Sequence, residues 1–157
     1  MPQDQTGSSK PSTRSNRRPP PNANSIAQYA ALAAFTGDQS IVEEHRREFE
    51  MCRDLFFEGI NAVHGFHIDA APEGAFYLFV SVRALLGKSQ GGRVIDSSAA
   101  LATYLLDNCR VAAIPGEAFG APGFLRFSFA ASMDKLKDAL GRLLREFGPA
   151  HSGQTDT

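Results

Sequence analysis

From residue 25 onward the apolar positions fall into two rhythms, one helical and one extended, and each change of rhythm marks an element. Ser25 and Gln28 make an S-x-x-Q capping box ahead of Ile26, Tyr29, Ala30 and Ala33, and Gly37 supplies a stop, which predicts a short Ala-rich helix. Ser40 and Glu43 repeat the capping pattern. Val42, His45, Phe49, Cys52, Phe56, Ile60 and Val63 then recur at helical spacing, so a long amphipathic helix is predicted over about 40–63. Glu43 with Arg47, and Arg46 with Glu50, are spaced to pair on its outer surface. After Gly65 the rhythm becomes extended, with runs at 66–68 and 76–82. The second run is almost wholly apolar and is expected at the centre of a sheet. A Gly-rich loop follows at 87–92. Asp96 or Ser97 can cap a third helix whose Leu101, Tyr104, Leu105 and Asn108 share a face, and 111–114 reads as a brief strand ended by Pro115-Gly116. Pro122-Gly123 opens a strand over 124–130, where Leu125, Phe127 and Phe129 should face the core and alternate with Arg126 and Ser128. Ser132 caps a last helix with Met133, Leu136, Leu140, Leu143 and Phe147 inward, and Gly148-Pro149 ends it. The predicted order is α-α-β-β-α-β-β-α, without internal repeats.

Residues 1–24 carry almost no apolar side chain and include Pro19-Pro20-Pro21, and 149–157 are again polar, so both are expected to be disordered tails flanking one domain over 25–148. Arg14, Arg17 and Arg18 in the first tail are read as solvated charges. The length of 157 residues, with 43% hydrophobic content and 12 phenylalanines, suffices for one real core. Sixteen Lys and Arg against 17 Asp and Glu leave a net charge of −1, which gives no reason to expect nucleic acid or an anionic membrane as partner. Cys52 and Cys109 have neither zinc-site spacing nor disulfide density and read as buried thiols in a reducing compartment. No stretch suits a signal-peptide core or a membrane span, and a soluble, cytoplasmic protein is expected. His64 and His67 are spaced as two metal ligands could be, but no third ligand accompanies them, so no metal is expected.

Three segments, Pro72-Glu73-Gly74-Ala75-Phe76-Tyr77, Pro115-Gly116-Glu117-Ala118-Phe119-Gly120 and Phe124-Leu125-Arg126-Phe127-Ser128-Phe129-Ala130, resemble class I aminotransferases of the aspartate aminotransferase type in order and spacing. Ser25-Ile26-Ala27-Gln28-Tyr29-Ala30-Ala31-Leu32 is similar to the family segment just after the catalytic core, and the likeness runs to about Phe147. The resemblance implies an α/β fold class: the mixed α-β, C-terminal small domain of the fold-type I pyridoxal-phosphate-dependent transferases. It further implies a homodimeric parent enzyme acting on an amino acid and a 2-oxo acid. The loop over 87–95 is similar to bacterial aspartate aminotransferases, which points to aspartate or another dicarboxylic amino acid. The Schiff-base lysine, the acid paired with the pyridine nitrogen and the phosphate cradle are expected in a large domain outside this chain. Pyridoxal phosphate is therefore a family cofactor that this chain is not expected to hold alone. Ser9-Lys10 followed by Arg18 echoes the family's pattern around that lysine, but Asn16 stands where its glycine would be and Pro19 to Pro21 replace the next one. Lys10 is read as a chance likeness or a remnant.

No residue is expected to be catalytic in this chain. From pattern alone, Arg126 could be a solvent-facing strand arginine or a carboxylate ligand; the resemblance implies the second, binding the α-carboxylate of the amino acid. Phe119 is either a turn anchor or part of the substrate site, where the family places its loop, and Pro72-Glu73-Gly74 reads as a turn. Arg126 between phenylalanines does not make an RNA-binding motif, because the Lys/Arg-Gly-aromatic start and general basicity are lacking. Three readings stand: a fragment of an aspartate/2-oxoglutarate transaminase that is inactive alone, a non-catalytic carboxylate-binding module, and an inactive truncated gene product. Truncation is expected to expose apolar surface and favour self-association.

Overall fold

The computed structural model describes residues 23–150, and the chain divides into two units with the boundary after Gln39. The first unit contains helix α1 (Ser25–Thr36), none of whose residues is buried. Its N-cap is Asn24, not Ser25: Asn24 Oδ1 accepts from the Ala27 N–H at 2.8 Å, and Gln28 Nε2 donates to the Ala23 carbonyl at 2.7 Å. Asn caps as well as Ser, and the expected box does not form, because Gln28 donates to a backbone carbonyl and does not accept from the cap's N–H. Every residue of the core cluster lies in the second unit. The expectations for Arg14 and Lys10 fall outside the described residues.

The second unit runs through α2 (Ser40–Asn61), β1 (Tyr77–Ser81), β2 (Ser89–Gln90), β3 (Arg93–Val94), α3 (Ser98–Tyr104), β4 (Ile114–Pro115), β5 (Phe124–Ser128) and α4 (Met133–Phe147). Cys52, Phe56 and Ile60, four residues apart, form the buried stripe of α2. The core reaches this helix only from Cys52 onward, so Val42 and Phe49, expected on the same face, stay exposed. On the outer surface the expected pairs form. Arg47 Nε lies 3.0 Å from Glu43 and Arg46 Nη1 lies 3.0 Å from Glu50, while Arg46 also grips Glu43 through two nitrogens. The bidentate Arg46 contact holds the Glu43 carboxyl well below the usual carboxylate range.

β1, β5 and β4 form an antiparallel sheet in that order, and β2–β3 is a separate small hairpin. Three expectations are corrected here. The run at 66–68 makes only a one-residue bridge, His67 to Ser81, and the loop at 87–92 contains one strand of the hairpin. The apolar strand β1 is at the edge of the sheet, and β5 is central. One face of β1 enters the core through Leu78 and Val80, and Phe79 is apolar yet points outward, so a wholly apolar run does not by itself mark a central strand. The observed element order is therefore α-α-β-β-β-α-β-β-α.

The core side of the sheet packs Leu78, Val80, Leu125 and Phe127 against α2, α3 and α4, with Phe127 meeting Phe56 edge-on at 6.0 Å and Phe66 at 6.3 Å. α4 buries Leu136, Leu140 and Leu143, with Met133 and Phe147 half-buried beside them. After α3 the helix widens into a π turn over Leu105–Cys109. The widened turn carries Cys109 inward and leaves Asn108, expected on the inner face, exposed. Both cysteines are buried, and burial pushes each thiol pKa up. Pro149 and Ala150, expected in the tail, are bonded instead: Val63 bridges Pro149, and the Ala150 N–H donates to the Ala62 carbonyl at 2.8 Å. No helix among the described residues is long and apolar enough to cross a membrane.

Candidate functional site

Along β5 the alternation sends Leu125 and Phe127 into the core and Arg126 to the opposite face. The register places Arg126 between Phe79 of β1 and Ile114 of β4, so the three form one cross-strand row on the outer face. The guanidinium carbon lies 4.2 Å from the centre of the Tyr77 ring and 4.6 Å from that of Phe119. Such contacts are worth about 0.5–2 kcal/mol each and restrain a side chain that otherwise has many rotamers. Neither ring offers a conventional hydrogen-bond acceptor, so the guanidinium keeps its N–H groups for another partner. Arg126 makes no ion pair or hydrogen bond among the described residues, and it lines an open cavity of about 230 Å³ with Tyr77, Ala112, Ala113, Ile114 and Ser128. A held cation with open donors beside such a space is suited to a carboxylate.

The second ring comes from the loop after β4. Gly116–Phe119 is a 3-10 turn closed by Gly120 at φ 70°, a left-handed value that glycine adopts without strain. Phe119 meets Phe79 edge-on at 6.2 Å, Phe79 stacks on Phe124 at 5.0 Å, and Arg83 lies 4.8 Å over Phe124. The outer face thus carries a continuous aromatic row ending at Arg126.

The structure brings together Arg126 and Phe119, the two positions singled out from sequence. It adds Tyr77 and Phe79, which sequence reasoning missed. Their signal is the odd-numbered positions of the apolar run, the run that the sequence places at the centre of a sheet. The Pro72-Glu73-Gly74 turn lies elsewhere, lining a cavity of about 300 Å³ with Arg46 and Arg53. Those two cations are already paired, Arg46 with Glu43 and Glu50, and Arg53 with Asp54 at 2.7 Å. His67 is exposed and bonds Asp69 at 2.9 Å. Among the described residues no group of three or more His, Cys, Asp or Glu could hold a metal.

Residues 14–143 match the family model for aminotransferase class I and II. The chain is 40% identical over 124 residues to an aspartate/prephenate aminotransferase of Nitrosomonas europaea, covering 78% of this chain and 31% of that protein. It is 40% identical over 121 residues to an aspartate aminotransferase of Rhizobium meliloti. A crystal structure of the Rhizobium meliloti aspartate aminotransferase superposes with a TM-score of 0.73 at 38% identity, over 77% of this chain and 30% of that one. An alanine aminotransferase from Pyrococcus furiosus gives 0.67 at 26% identity, over 78% and 29%. This chain therefore spans about 30% of the length of these relatives. Matched sequence and superposed fold agree: the chain belongs to the class I and II aminotransferases, as an aspartate-aminotransferase-like fragment.

Proposed function

We propose that this chain is the C-terminal small domain of an aspartate-type aminotransferase, supplying the part that grips the carboxylate of a dicarboxylic amino acid or 2-oxo acid. The observation that carries this reading is Arg126, held between Tyr77 and Phe119 with no carboxylate partner among the described residues. In this role the two rings fix the guanidinium plane, its paired N–H groups bind both oxygens of the carboxylate, and the apolar lining of Ala112, Ala113 and Ile114 keeps competing water away.

The family depends on pyridoxal phosphate, but the residues around Arg126 do not fit that cofactor. Its cavity is lined by neither a lysine nor an acid. Bond making and breaking therefore belong to a large domain, on a separate or continuous polypeptide, and the parent enzyme is proposed to be a homodimer. The same lining favours a second reading, a carboxylate-binding module without chemistry.

Titration calorimetry with succinate tests the shared part of both readings. Binding that disappears in Arg126→Gln is expected; equal heats in the two proteins would remove Arg126 from the site. To separate the readings, the chain is assayed with aspartate, 2-oxoglutarate and pyridoxal phosphate, alone and with a partner large domain from a relative. Inactivity alone and turnover on addition support the enzyme fragment, whereas binding with no turnover in either case leaves the module.

A further inference from the structure

Phe119 is 48% exposed, so burial alone contributes little to keeping its ring over Arg126. Something else must hold its loop. The loop is closed across its base by the Ala121 N–H to the Gly116 carbonyl at 2.9 Å, and both of its ends run to one point, the first residue of α3. Ser98 is fully buried, and its Oγ accepts from the Gly123 N–H at 2.7 Å. The Ser98 N–H donates to Glu117 Oε1 at 3.2 Å. That N–H is one of the donors a helix start cannot satisfy internally, and a carboxylate is a favourable partner for it. Ser97 Oγ meanwhile takes the Ala100 N–H at 3.2 Å, so the two acceptors divide the first turn between them. The Gly123 carbonyl accepts from the Val82 N–H at 2.9 Å, which ties the same loop end to the exit of β1. There is no slack at the other end, because a Cβ on Gly116 would lie 2.1 Å from the Ala121 carbonyl oxygen.

We propose that Ser98 and Glu117 are positioning residues for the Arg126 site: from the start of α3 they clamp both ends of the 116–123 loop and so keep the Phe119 ring on the guanidinium. This rests on the reading of Arg126 as the carboxylate ligand. Neither residue touches the carboxylate; each acts through Phe119. With the clamp released, the loop swings, one of the two rings leaves Arg126, and the guanidinium regains rotamers that binding must freeze again.

The test uses the whole 157-residue chain and two independent readouts. The Arg126 side-chain Nε–H resonance, assigned by its loss in Arg126→Gln, reports ring-current shielding by Tyr77 and Phe119, and succinate titration reports affinity. Glu117→Ala and Ser98→Ala should move the resonance toward that of an unstacked arginine and weaken succinate binding about threefold to tenfold, the worth of one hydrogen bond. Glu117→Gln, which keeps an oxygen acceptor, should restore both. An unmoved resonance in folded Glu117→Ala overturns the clamp, and so does failure of Glu117→Gln to restore it. Because Glu117 is exposed, its variants decide the matter even if Ser98→Ala does not fold. If the wild-type chain binds no succinate, the carboxylate reading of Arg126 falls instead, while the resonance still reports on the clamp.

Discussion

Arg126 combines a fixed place with open donors. Lysine in its position would keep the charge but lose the planar fork that presents two parallel N–H groups, and it would stack less well between Tyr77 and Phe119. Arg126→Lys should therefore lose about one charge-assisted hydrogen bond, ~1.5–3 kcal/mol or roughly tenfold to a hundredfold in succinate affinity. Stability should fall by less than affinity does, by about 0.5–1 kcal/mol, because the side chain is outside the core and lysine keeps part of its attraction to the two rings. Calorimetry beside a thermal melt checks both parts; a lower melting point with unchanged affinity would make Arg126 a structural residue. Its orientation was legible in the sequence, since slipping β5 by one residue would expose Leu125, Phe127 and Phe129 at ~1.5–3 kcal/mol each. Its ring partners were not. Tyr77 is 49 residues away in sequence, and the pairing of Tyr77 with Ser128 that brings it near is a property of two strands together.

Between elements, Tyr104 and Glu146 form the joint that ties the β2–β3 hairpin to α3 and α4. The Tyr104 hydroxyl donates to Glu146 Oε1, and Gln90 Nε2 donates to the Glu146 carbonyl at 2.9 Å. Gly91 is required beneath it, since a Cβ there would lie 2.5 Å from the Tyr104 oxygen and the residue has φ 54°. Burial, then the hydrogen bond to Glu146, push the phenol from 10.0 up to about 12. The folded value is above the unfolded one, so this contribution to stability is intact below pH 10 and is lost as pH rises through about 12. Denaturant unfolding across that window should show a loss in wild type that is missing from Tyr104→Phe, which at neutral pH should be weaker by ~0.5–1.5 kcal/mol. Identical pH profiles for the two proteins would show that the joint does not contribute. At this scale the sequence marked α2 and α4 well, because their apolar spacing repeats over many turns. It marked the hairpin and the π turn at Leu105–Cys109 poorly: two-residue strands and a single widened turn are too short to leave a periodic trace.

At the scale of the whole molecule, the second unit leaves several large apolar side chains uncovered, and some of them cluster. Val42 and Phe49 are exposed on one face of α2, and Phe79, Ile114 and Phe119 are exposed around Arg126. Soluble monomers rarely leave large apolar patches open. The isolated chain should therefore associate with itself as concentration rises and bind an apolar-surface dye, as measured by sedimentation velocity and fluorescence. A concentration-independent monomer that binds no dye would show that these residues form no effective patch. The relatives are more than twice as long as this chain, which fits the expectation that such faces are covered in a complete enzyme.

The sequence by itself determined which residues point inward on β5, on α4 and on α2 from Cys52 onward, and hence that Arg126 points out. Spacing along the chain encodes facing directly, and burial of a whole apolar stripe enforces it. Only the tertiary structure decided that β1 is an edge strand, that its Phe79 and Tyr77 serve the outer face, and that Ser98 and Glu117 hold the loop bearing Phe119. An apolar run reads the same whether its second face meets a core or an aromatic row around a cation. The difference depends on which distant strand pairs beside it, and that follows from the packing of the whole unit.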